Sequence, residues 1–185
     1  MALDFMKKPI AAAIRTEKDF STALRSDVDM IFLLHSNIMT VHQYVKEIHS
    51  AGKKAFVHVD FAEGIGKDRY GLEFLAKQGV DGILTTRTNV VKAAKEYGLI
   101  TVQRFFIVDS HSLGTSVDSI KISKPDIIEI MPGVVTKKIK EFAEKASMPI
   151  IAGGLVETVE EVRAALEAGA DVVSTGEAQL WSMEL

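Results

Sequence analysis

The chain has no cysteine and little proline. The absence of cysteine excludes disulfides, thiolate metal sites and cysteine nucleophiles together, and it is compatible with a reducing compartment. Only 4 of the 185 residues are proline and 47% are apolar, a composition that excludes a disordered or collagen-like chain. The sequence is long enough for one core of respectable size and too short for two ordinary domains.

Long apolar runs and an excess of basic charge are also missing. No apolar run approaches the roughly 20 residues that span a bilayer, and residues 1–15 contain no run of signal-peptide length. We therefore expect a soluble, cytoplasmic protein with no membrane contact. The 22 basic and 25 acidic residues give a net charge of −3, which argues weakly against a general nucleic-acid binder but leaves room for a local basic patch.

A repeated unit runs through the chain: a segment of helical periodicity, a glycine, and then a short apolar run. The glycines sit where a helix would end before a strand, at Gly52, Gly79, Gly98 and Gly169. Eight apolar runs are typical of strands buried on both faces, at 9–14, 28–34, 55–59, 82–85, 99–105, 126–131, 149–152 and 171–174. This alternation predicts an α/β fold, a compact single-domain (β/α)₈ TIM barrel over residues 1–185.

Seven helices are expected between these strands, and an eighth is expected to be short. Helical periodicity places Ile38, Val41 and Val45 on one face of the second helix. Only residues 177–183 remain for the last helix, which predicts about two turns. Trp181 is expected to pack this truncated helix over the barrel wall.

The stretch from residue 148 to 176 carries the strongest functional pattern. It reads as strand, glycine turn, helix and strand, with Thr158 and Glu161 forming a capping box at the start of the helix. The loops after the last two strands of a TIM barrel commonly form a phosphate-binding corner, where backbone N–H groups converge on an anion. The residues predicted to bind there are Gly153, Gly154, Leu155, Ser174, Thr175 and Gly176. The alternative is that both loops are only tight turns.

Two arginines lie at the ends of neighbouring strands, at the expected barrel mouth. Arg87 and Arg104 can each bind a phosphate or carboxylate in a bidentate manner, and neither is easily buried unpaired. Internal pairing with Asp60 or Glu129 is an equally good interpretation. The two interpretations are compatible.

Acidic and histidine side chains at the strand ends raise the question of catalysis or metal binding. His58 and Asp60 share one face of a strand, but the spacing supplies no clear third ligand, and Glu63 is a weak candidate. Asp60 and Glu129 are possible paired carboxylates. No lysine follows a strand as a Schiff base would need, and no G-x-S-x-G or H-E-x-x-H motif is present. We expect no metal and no cofactor.

Several longer stretches resemble one known family. They are PIAAAI at 9–14, HVDFAEG at 58–64, YGLEFL at 70–75, TTRTNV at 85–90, QRFFIVDS at 103–110, DIIEIMPGVV at 126–135, PIIAGGLV at 149–156 and LW at 180–181. The chain resembles the glycerol-3-phosphate-responsive antiterminators, regulators of glycerol uptake operons. Many phosphate-binding barrels contain AGGL and STG, whereas TTRTNV, QRFFIVDS and EIMPG in this order are far more specific.

The resemblance implies a barrel that is not an enzyme. It would bind glycerol 3-phosphate and act on leader mRNA, preventing early termination or stabilising the transcript. The phosphate would lie at the two glycine turns, and four side chains would line the mouth: Arg87, Arg104, Asp60 and Glu129. RNA phosphates would meet small lysine clusters at 53–54, 67–69, 121–124 and 137–140.

Two other functions stay open at this point, and a homo-oligomer is possible because such barrels often pair. One alternative is an enzyme acting on a small phosphorylated metabolite, with Asp60 and Glu129 as acid and base and His58 assisting. The other is a metabolite-binding barrel whose partner is a protein rather than RNA.

Overall fold

The structure is a computed structural model that describes residues 3–107 and 109–183. The domain predicted over 1–185 therefore extends beyond the described residues at both ends, and Val108 of the QRFFIVDS stretch also lies outside them. Within the described part, no helix is long and apolar enough to cross a membrane.

The described residues form ten strands and seven α-helices, and an α-helix separates every two consecutive strands except β2 from β3 and β4 from β5. The strands are β1 Ile10–Ile14, β2 Met30–Leu33, β3 Ser36–Asn37, β4 Lys54–His58, β5 Ala62–Glu63, β6 Gly82–Thr85, β7 Ile100–Phe106, β8 Ile127–Met131, β9 Ile150–Gly153 and β10 Val172–Thr175. The helices are α1 Glu17–Arg25, α2 Val41–Ser50, α3 Arg69–Lys77, α4 Thr88–Lys95, α5 Ser110–Ser123, α6 Thr136–Ala143 and α7 Val159–Glu167.

Eight of the strands close into a parallel barrel in the order β1, β2, β4, β6, β7, β8, β9 and β10, and β10 pairs again with β1. The predicted (β/α)₈ TIM barrel is confirmed. The remaining two strands, β3 and β5, form a small parallel sheet of their own, and both follow barrel strands at the carboxyl-terminal end. That end is the mouth of the barrel, where TIM-barrel proteins carry their sites.

The strands are buried on both faces, as their continuous apolar composition requires. In β2, Met30 and Phe32 point into the barrel interior with Phe56, whereas Ile31 and Leu33 belong to the layer between strands and helices. Alternate residues of one strand therefore pack in two different hydrophobic cores, because successive side chains of a strand point to opposite faces.

Local capping signals fix several helix starts. Thr16 with Asp19 and Thr158 with Glu161 both form complete capping boxes, and the Asp68 carboxylate accepts hydrogen bonds from two N–H groups at the start of α3. These caps hold the loops that precede α1, α3 and α7 at the barrel mouth.

Two local predictions were wrong in extent. Ile38 does not belong to α2; it is 46% exposed, and the helix begins at Val41. The reason is β3, which keeps the chain extended through Asn37, whose side-chain oxygen then accepts hydrogen bonds from the next N–H groups at Met39 and Thr40.

The predicted two-turn eighth helix is a single 3₁₀ turn, Ala178–Leu180. Trp181 follows it and is 1% exposed, and its indole N–H donates to the carbonyl oxygen of Thr175 at 2.9 Å. The tryptophan thus covers the barrel wall as expected, and it also ties the chain end to the last strand.

Candidate functional site

A cavity of about 400 Å³ opens at the barrel mouth over β1, β8, β9 and β10. Seven residues predicted to bind ligand line it: Arg104, Glu129, Gly154, Leu155, Ser174, Thr175 and Gly176. The volume falls within the roughly 300–1,000 Å³ typical of small-molecule sites. We refer to it as the corner cavity.

The glycine turn after β9 owes its composition to close packing. Gly154 and Leu155 both have positive φ, at 77° and 60°. A Cβ atom on Gly153 would overlap the Oε1 atom of Glu129, and one on Gly154 would overlap the Met131 side chain. Gly153 is not among the lining residues of the cavity. Its contribution is the space in which the Glu129 carboxylate fits.

Several hydrogen-bond donors of the corner cavity have no acceptor among the described residues. The backbone N–H groups of Gly154, Leu155 and Gly176 donate none of the hydrogen bonds found there, and the hydroxyl of Ser174, which lines the cavity, makes no hydrogen bond with the described residues. Converging N–H groups of this kind are suited to an anion.

Thr175 differs from its neighbours because its polar groups are already used. Its hydroxyl donates to the Val156 carbonyl oxygen at 2.7 Å and accepts from the Glu177 N–H at 3.0 Å. Its carbonyl oxygen accepts from Trp181. The threonine side chain therefore holds the two turns together rather than presenting a free hydroxyl to a ligand.

Arg104 and Glu129 form a buried pair at the base of the corner cavity. They lie opposite each other on β7 and β8, are 9% and 0% exposed, and the arginine Nε lies 2.5 Å from the glutamate Oε2. The other carboxylate oxygen, Oε1, is buried and accepts no hydrogen bond from the described residues. An unsatisfied buried polar atom costs about 1–3 kcal/mol, and more when it is charged, so this acceptor calls for a donor.

Arg15 also lines the corner cavity, although it was not among the residues predicted to bind a ligand. It is exposed and makes no ion pair or hydrogen bond within the described part of the chain. The signal for it was its position directly after the first strand, because closure of the barrel brings β1 beside β10. The cavity also has four acidic residues on its lining: Asp19, Glu129, Glu157 and Glu177.

Asp60 and Arg87 form a second arginine–carboxylate pair at the mouth, with Nε and Oδ1 3.3 Å apart. The Asp60 carboxylate also accepts hydrogen bonds from the Thr85 hydroxyl at 2.9 Å and from the Thr86 N–H and hydroxyl at 2.8 and 3.0 Å. Burial acts to raise the pKa of Asp60, but these hydrogen bonds outweigh it and hold the pKa below its usual value. Asp60 is a stably charged group that fixes the loop after β6.

His58 lies between the two pairs. Burial, and next the charge of Arg104, lower its pKa to about 4, while Asp60 acts in the opposite direction. The ring is therefore neutral near pH 7, it packs on Phe61 at 4.7 Å between centroids, and its Nδ1 has no partner among the described residues.

The described residues contain no group of three side chains suited to a metal ion. Asp60 and Glu129 are not brought together in one cavity: Asp60 lines an open groove with Phe61, whereas Glu129 lies in the corner cavity. His35 is exposed in the loop between β2 and β3.

Comparison with known sequences identifies one family. The family model described as Glycerol-3-phosphate responsive antiterminator matches residues 10–181. The uncharacterised protein YgcP of Escherichia coli K12 is 37% identical over 178 residues, which cover 96% of this chain and 93% of that protein.

Two crystal structures of glycerol uptake operon antiterminator proteins are similar to this chain. The glycerol uptake operon antiterminator regulatory protein of Listeria monocytogenes has a TM-score of 0.91 at 33% identity, covering 97% of both chains. A glycerol uptake operon antiterminator-related protein of Thermotoga maritima has a TM-score of 0.85 at 33% identity, covering 95% of this chain and 99% of that one. A deoxyribose phosphate aldolase of Aeropyrum pernix, at 19% identity and a TM-score of 0.73, shares the fold alone.

Proposed function

The chain belongs to the family of glycerol-3-phosphate-responsive antiterminators, and on that premise we propose that it binds glycerol 3-phosphate in the corner cavity and then acts on leader RNA. Ligand binding would favour the RNA-competent state through a difference in affinity between two states of the loops at the barrel mouth. The site of action would be the cytoplasm, where leader transcripts are made.

The phosphate part of the ligand fits the backbone donors of the two turns. The N–H groups of Gly154, Leu155 and Gly176 and the Ser174 hydroxyl supply hydrogen bonds, and Arg15 supplies a charge. The acidic residues on the same lining would repel a dianion, so the bound phosphate depends on these donors rather than on a generally positive field.

The single observation that carries the proposal is the Oε1 atom of Glu129. A buried carboxylate oxygen without a donor calls for a ligand that carries hydroxyl groups, and glycerol 3-phosphate has two. Arg104 holds the carboxylate through its other oxygen, so Oε1 is oriented before the ligand arrives. The corner cavity thus combines hydrogen-bond donors for a phosphate with an acceptor for a hydroxyl group, and this combination favours a phosphorylated polyol.

The same geometry gives the enzymatic alternative less support. Asp60 is saturated with hydrogen bonds and has a lowered pKa, the pKa of His58 is about 4, and Glu129 is paired with an arginine. The pKa values of Asp60 and His58 both lie well below neutral pH, away from the range in which a general acid or base is most effective. The lining of the corner cavity includes no lysine for a Schiff base.

The RNA part of the proposal rests on the family and not on overall charge. Of the lysine clusters expected to meet RNA, the pair at 53–54 is already engaged in contacts with the protein itself. Lys53 is buried, its ammonium donates to the Ser26 and Val28 carbonyl oxygens at 2.7 Å, and Lys54 pairs with Asp81. The clusters at 67–69 and 137–140 follow barrel strands at the mouth and remain candidates.

Isothermal titration with glycerol 3-phosphate, glycerol and inorganic phosphate tests the ligand assignment. We expect one site per chain for glycerol 3-phosphate, much weaker binding of either half alone, and ligand recovered unchanged. Glu129→Gln and Ser174→Ala should each weaken binding, whereas Glu63→Gln, an exposed glutamate outside the corner cavity, should not. Equal binding by wild type and both cavity variants would overturn the site.

Filter binding to the leader RNA of glycerol utilisation genes tests the RNA part of the proposal. The expected result is tighter RNA binding in the presence of glycerol 3-phosphate, with a steep dependence on salt. Ligand binding without any effect on RNA binding would leave a metabolite-binding barrel with some other partner. Turnover of the ligand would instead establish the enzymatic alternative.

A further inference from the structure

A second cavity of about 370 Å³ lies beside the corner cavity, over the ends of β1 and β3 and the starts of α1 and α2. The two cavities share Arg15 and Thr16 on their linings. The proposed ligand does not need this space, because the protein groups that would donate to its phosphate and accept from its hydroxyls all lie in the corner cavity. We refer to it as the side cavity.

Two buried hydroxyl oxygens on the side cavity have no hydrogen-bond partner among the described residues, Ser36 Oγ and Thr40 Oγ1. Ser36 is only 7% exposed. The neighbouring Asn37 uses its side-chain oxygen to accept two backbone N–H groups, so its amide nitrogen is the group left to donate. A buried, unpaired hydroxyl is costly, and two on one cavity indicate a polar occupant.

An aromatic ring forms one wall of the side cavity. Phe61 follows β4, is 57% exposed, and is backed by the ring of His58 at 4.7 Å. The His35 ring lies tilted beside it, with 6.1 Å between ring centroids. Single exposed apolar side chains are common on protein surfaces, but this phenyl ring is held by the buried His58 ring beside two unpaired hydroxyls, and so it offers a flat apolar face next to polar groups.

The charges around the side cavity are mixed. Arg15 lines it on one side, and the carboxylates of Glu17 and Glu63 line it elsewhere; Glu17 is engaged by the Tyr44 hydroxyl. Carboxylates would repel a phosphate, but they accept hydrogen bonds from the amino groups of bases. Beyond Phe61, an open groove carries Lys67 on its lining together with Glu63 and with Asp60, whose charge is paired with Arg87.

We infer that the side cavity binds a single unstacked base of the RNA, with Phe61 as the stacking surface and Ser36 and Thr40 contacting the base edge. RNA-binding proteins read single-stranded RNA in this way, by stacking a splayed base on an aromatic ring and bonding its edge. The sugar–phosphate backbone would leave through the groove at Lys67. This inference rests on the proposed RNA function and adds the surface on which the RNA is recognised.

The shared lining gives the two cavities a physical connection. Arg15 has no partner among the described residues, so its guanidinium is free to adopt a position set by whichever cavity is filled. A phosphate in the corner cavity would orient Arg15, and this would shape the neighbouring wall before a base enters. Coupling of this kind requires that each ligand raise the affinity for the other by the same factor.

Phe61→Ala is the first test, with Phe106→Ala as its matched control. Phe106 is 55% exposed at the end of β7 and lines neither the side cavity nor the groove at Lys67. With glycerol 3-phosphate present, we expect Phe61→Ala to bind leader RNA roughly 5- to 150-fold more weakly, the range for the loss of one base–aromatic stack. The salt dependence should not change, and Phe106→Ala should bind within about twofold of wild type.

Ser36→Ala with Thr40→Val tests the edge contacts without removing the aromatic wall. The double variant should lose discrimination between RNA sequences more than it loses overall RNA affinity. Its affinity for glycerol 3-phosphate, measured by titration, should stay unchanged. A leader RNA carrying 2-aminopurine at successive single-stranded positions supplies a direct readout. One position should be quenched on binding to wild type and to Phe106→Ala, and not on binding to Phe61→Ala.

Three outcomes would overturn the inference, and they separate it from the proposed function. If wild type binds leader RNA and Phe61→Ala binds equally well, the RNA function stands and the base pocket is wrong. If no RNA binds while glycerol 3-phosphate does, both fail. If titration gives two glycerol 3-phosphate molecules per chain and Ser36→Ala with Thr40→Val removes one, the side cavity is a metabolite site.

Discussion

The barrel mouth carries two arginine–carboxylate pairs that look alike in the sequence and differ in the structure. Arg87 with Asp60 is more than half exposed on the arginine side, and every polar contact of its carboxylate is made by neighbouring threonines or by the arginine. Arg104 with Glu129 is buried, and one carboxylate oxygen accepts nothing from the described residues. The saturated pair fixes a loop, and the unsaturated pair leaves a position for ligand chemistry.

This difference shows why charge and position at a strand end do not identify a site. Hydrogen bonds are worth little net when both partners are satisfied and cost much when one buried partner is left alone. The informative quantity is the hydrogen-bonding capacity left unused after the fold has formed. By that measure the corner cavity is the candidate site, and Asp60 with Arg87 belongs to its frame.

The largest expected difference between the two arginine–carboxylate pairs is the loss of stability when the carboxylate charge is removed. Glu129→Gln is expected to lower the free energy of unfolding by about 3–5 kcal/mol, because it leaves Arg104 buried and unpaired. Asp60→Asn should cost about 1 kcal/mol, since asparagine still accepts a hydrogen bond and Arg87 can turn to solvent. Urea unfolding of both variants measures this, and equal losses would erase the distinction between the pairs.

The pH dependence of stability reports the environment between the two pairs. His58 has a pKa of about 4 in the fold and about 6.5 when unfolded, so protons bind the unfolded chain more tightly between those values. Its stabilising contribution is present above pH 6.5 and is lost as the pH falls towards 4, a difference of about 3 kcal/mol.

Unfolding of wild type and His58→Gln from pH 7 to pH 4 measures that contribution as the difference between two profiles. Asp60→Asn should lower the pKa of His58 further, because Asp60 acts to raise it. Titration of the histidine ring by NMR would show this, and a rise in the pKa would contradict the arrangement.

Ligand affinity should depend on the unpaired arginine and not on the paired one. Arg15→Ala is expected to weaken binding of glycerol 3-phosphate roughly 10- to 100-fold, the size of one hydrogen bond to a charged group. Arg87→Ala should change binding less than about twofold, since its guanidinium already pairs with Asp60. Titration of both variants decides, and a larger effect at Arg87 would move the ligand to the opposite side of the mouth.

The smallest expected effect distinguishes two glycines of the corner. Gly153→Ala should lower stability by about 1–3 kcal/mol, because the new Cβ would displace the Glu129 carboxylate. Gly176→Ala has room, with the nearest atom at 3.6 Å, and should stay within about 0.5 kcal/mol of wild type. Thermal unfolding compares the two, and similar losses would mean that Gly153 has no special role in seating Glu129.

Much of the fold was predictable because its signals are local. The glycine terminators, the capping boxes at Thr16 and Thr158 and the eight apolar runs each act over a few residues, so the barrel follows from the chain alone. Where a distant partner intervened, prediction failed. Pairing of β3 with β5 moved Ile38 out of α2, although its spacing matched the helix.

The sequence by itself determined a parallel barrel with two glycine turns side by side, together with the family to which the chain belongs. Only the tertiary structure decided which of its charged and polar groups are already satisfied, that Arg15 joins the corner cavity, and that a second cavity lies beside it. Glu129 and Arg104 are 25 residues apart, as are Asp60 and Thr85, so both carboxylates have partners at the same separation along the chain. Whether an oxygen is left over depends on which donors the neighbouring strand and loop bring within reach of the carboxylate, and these meet only after the barrel has closed.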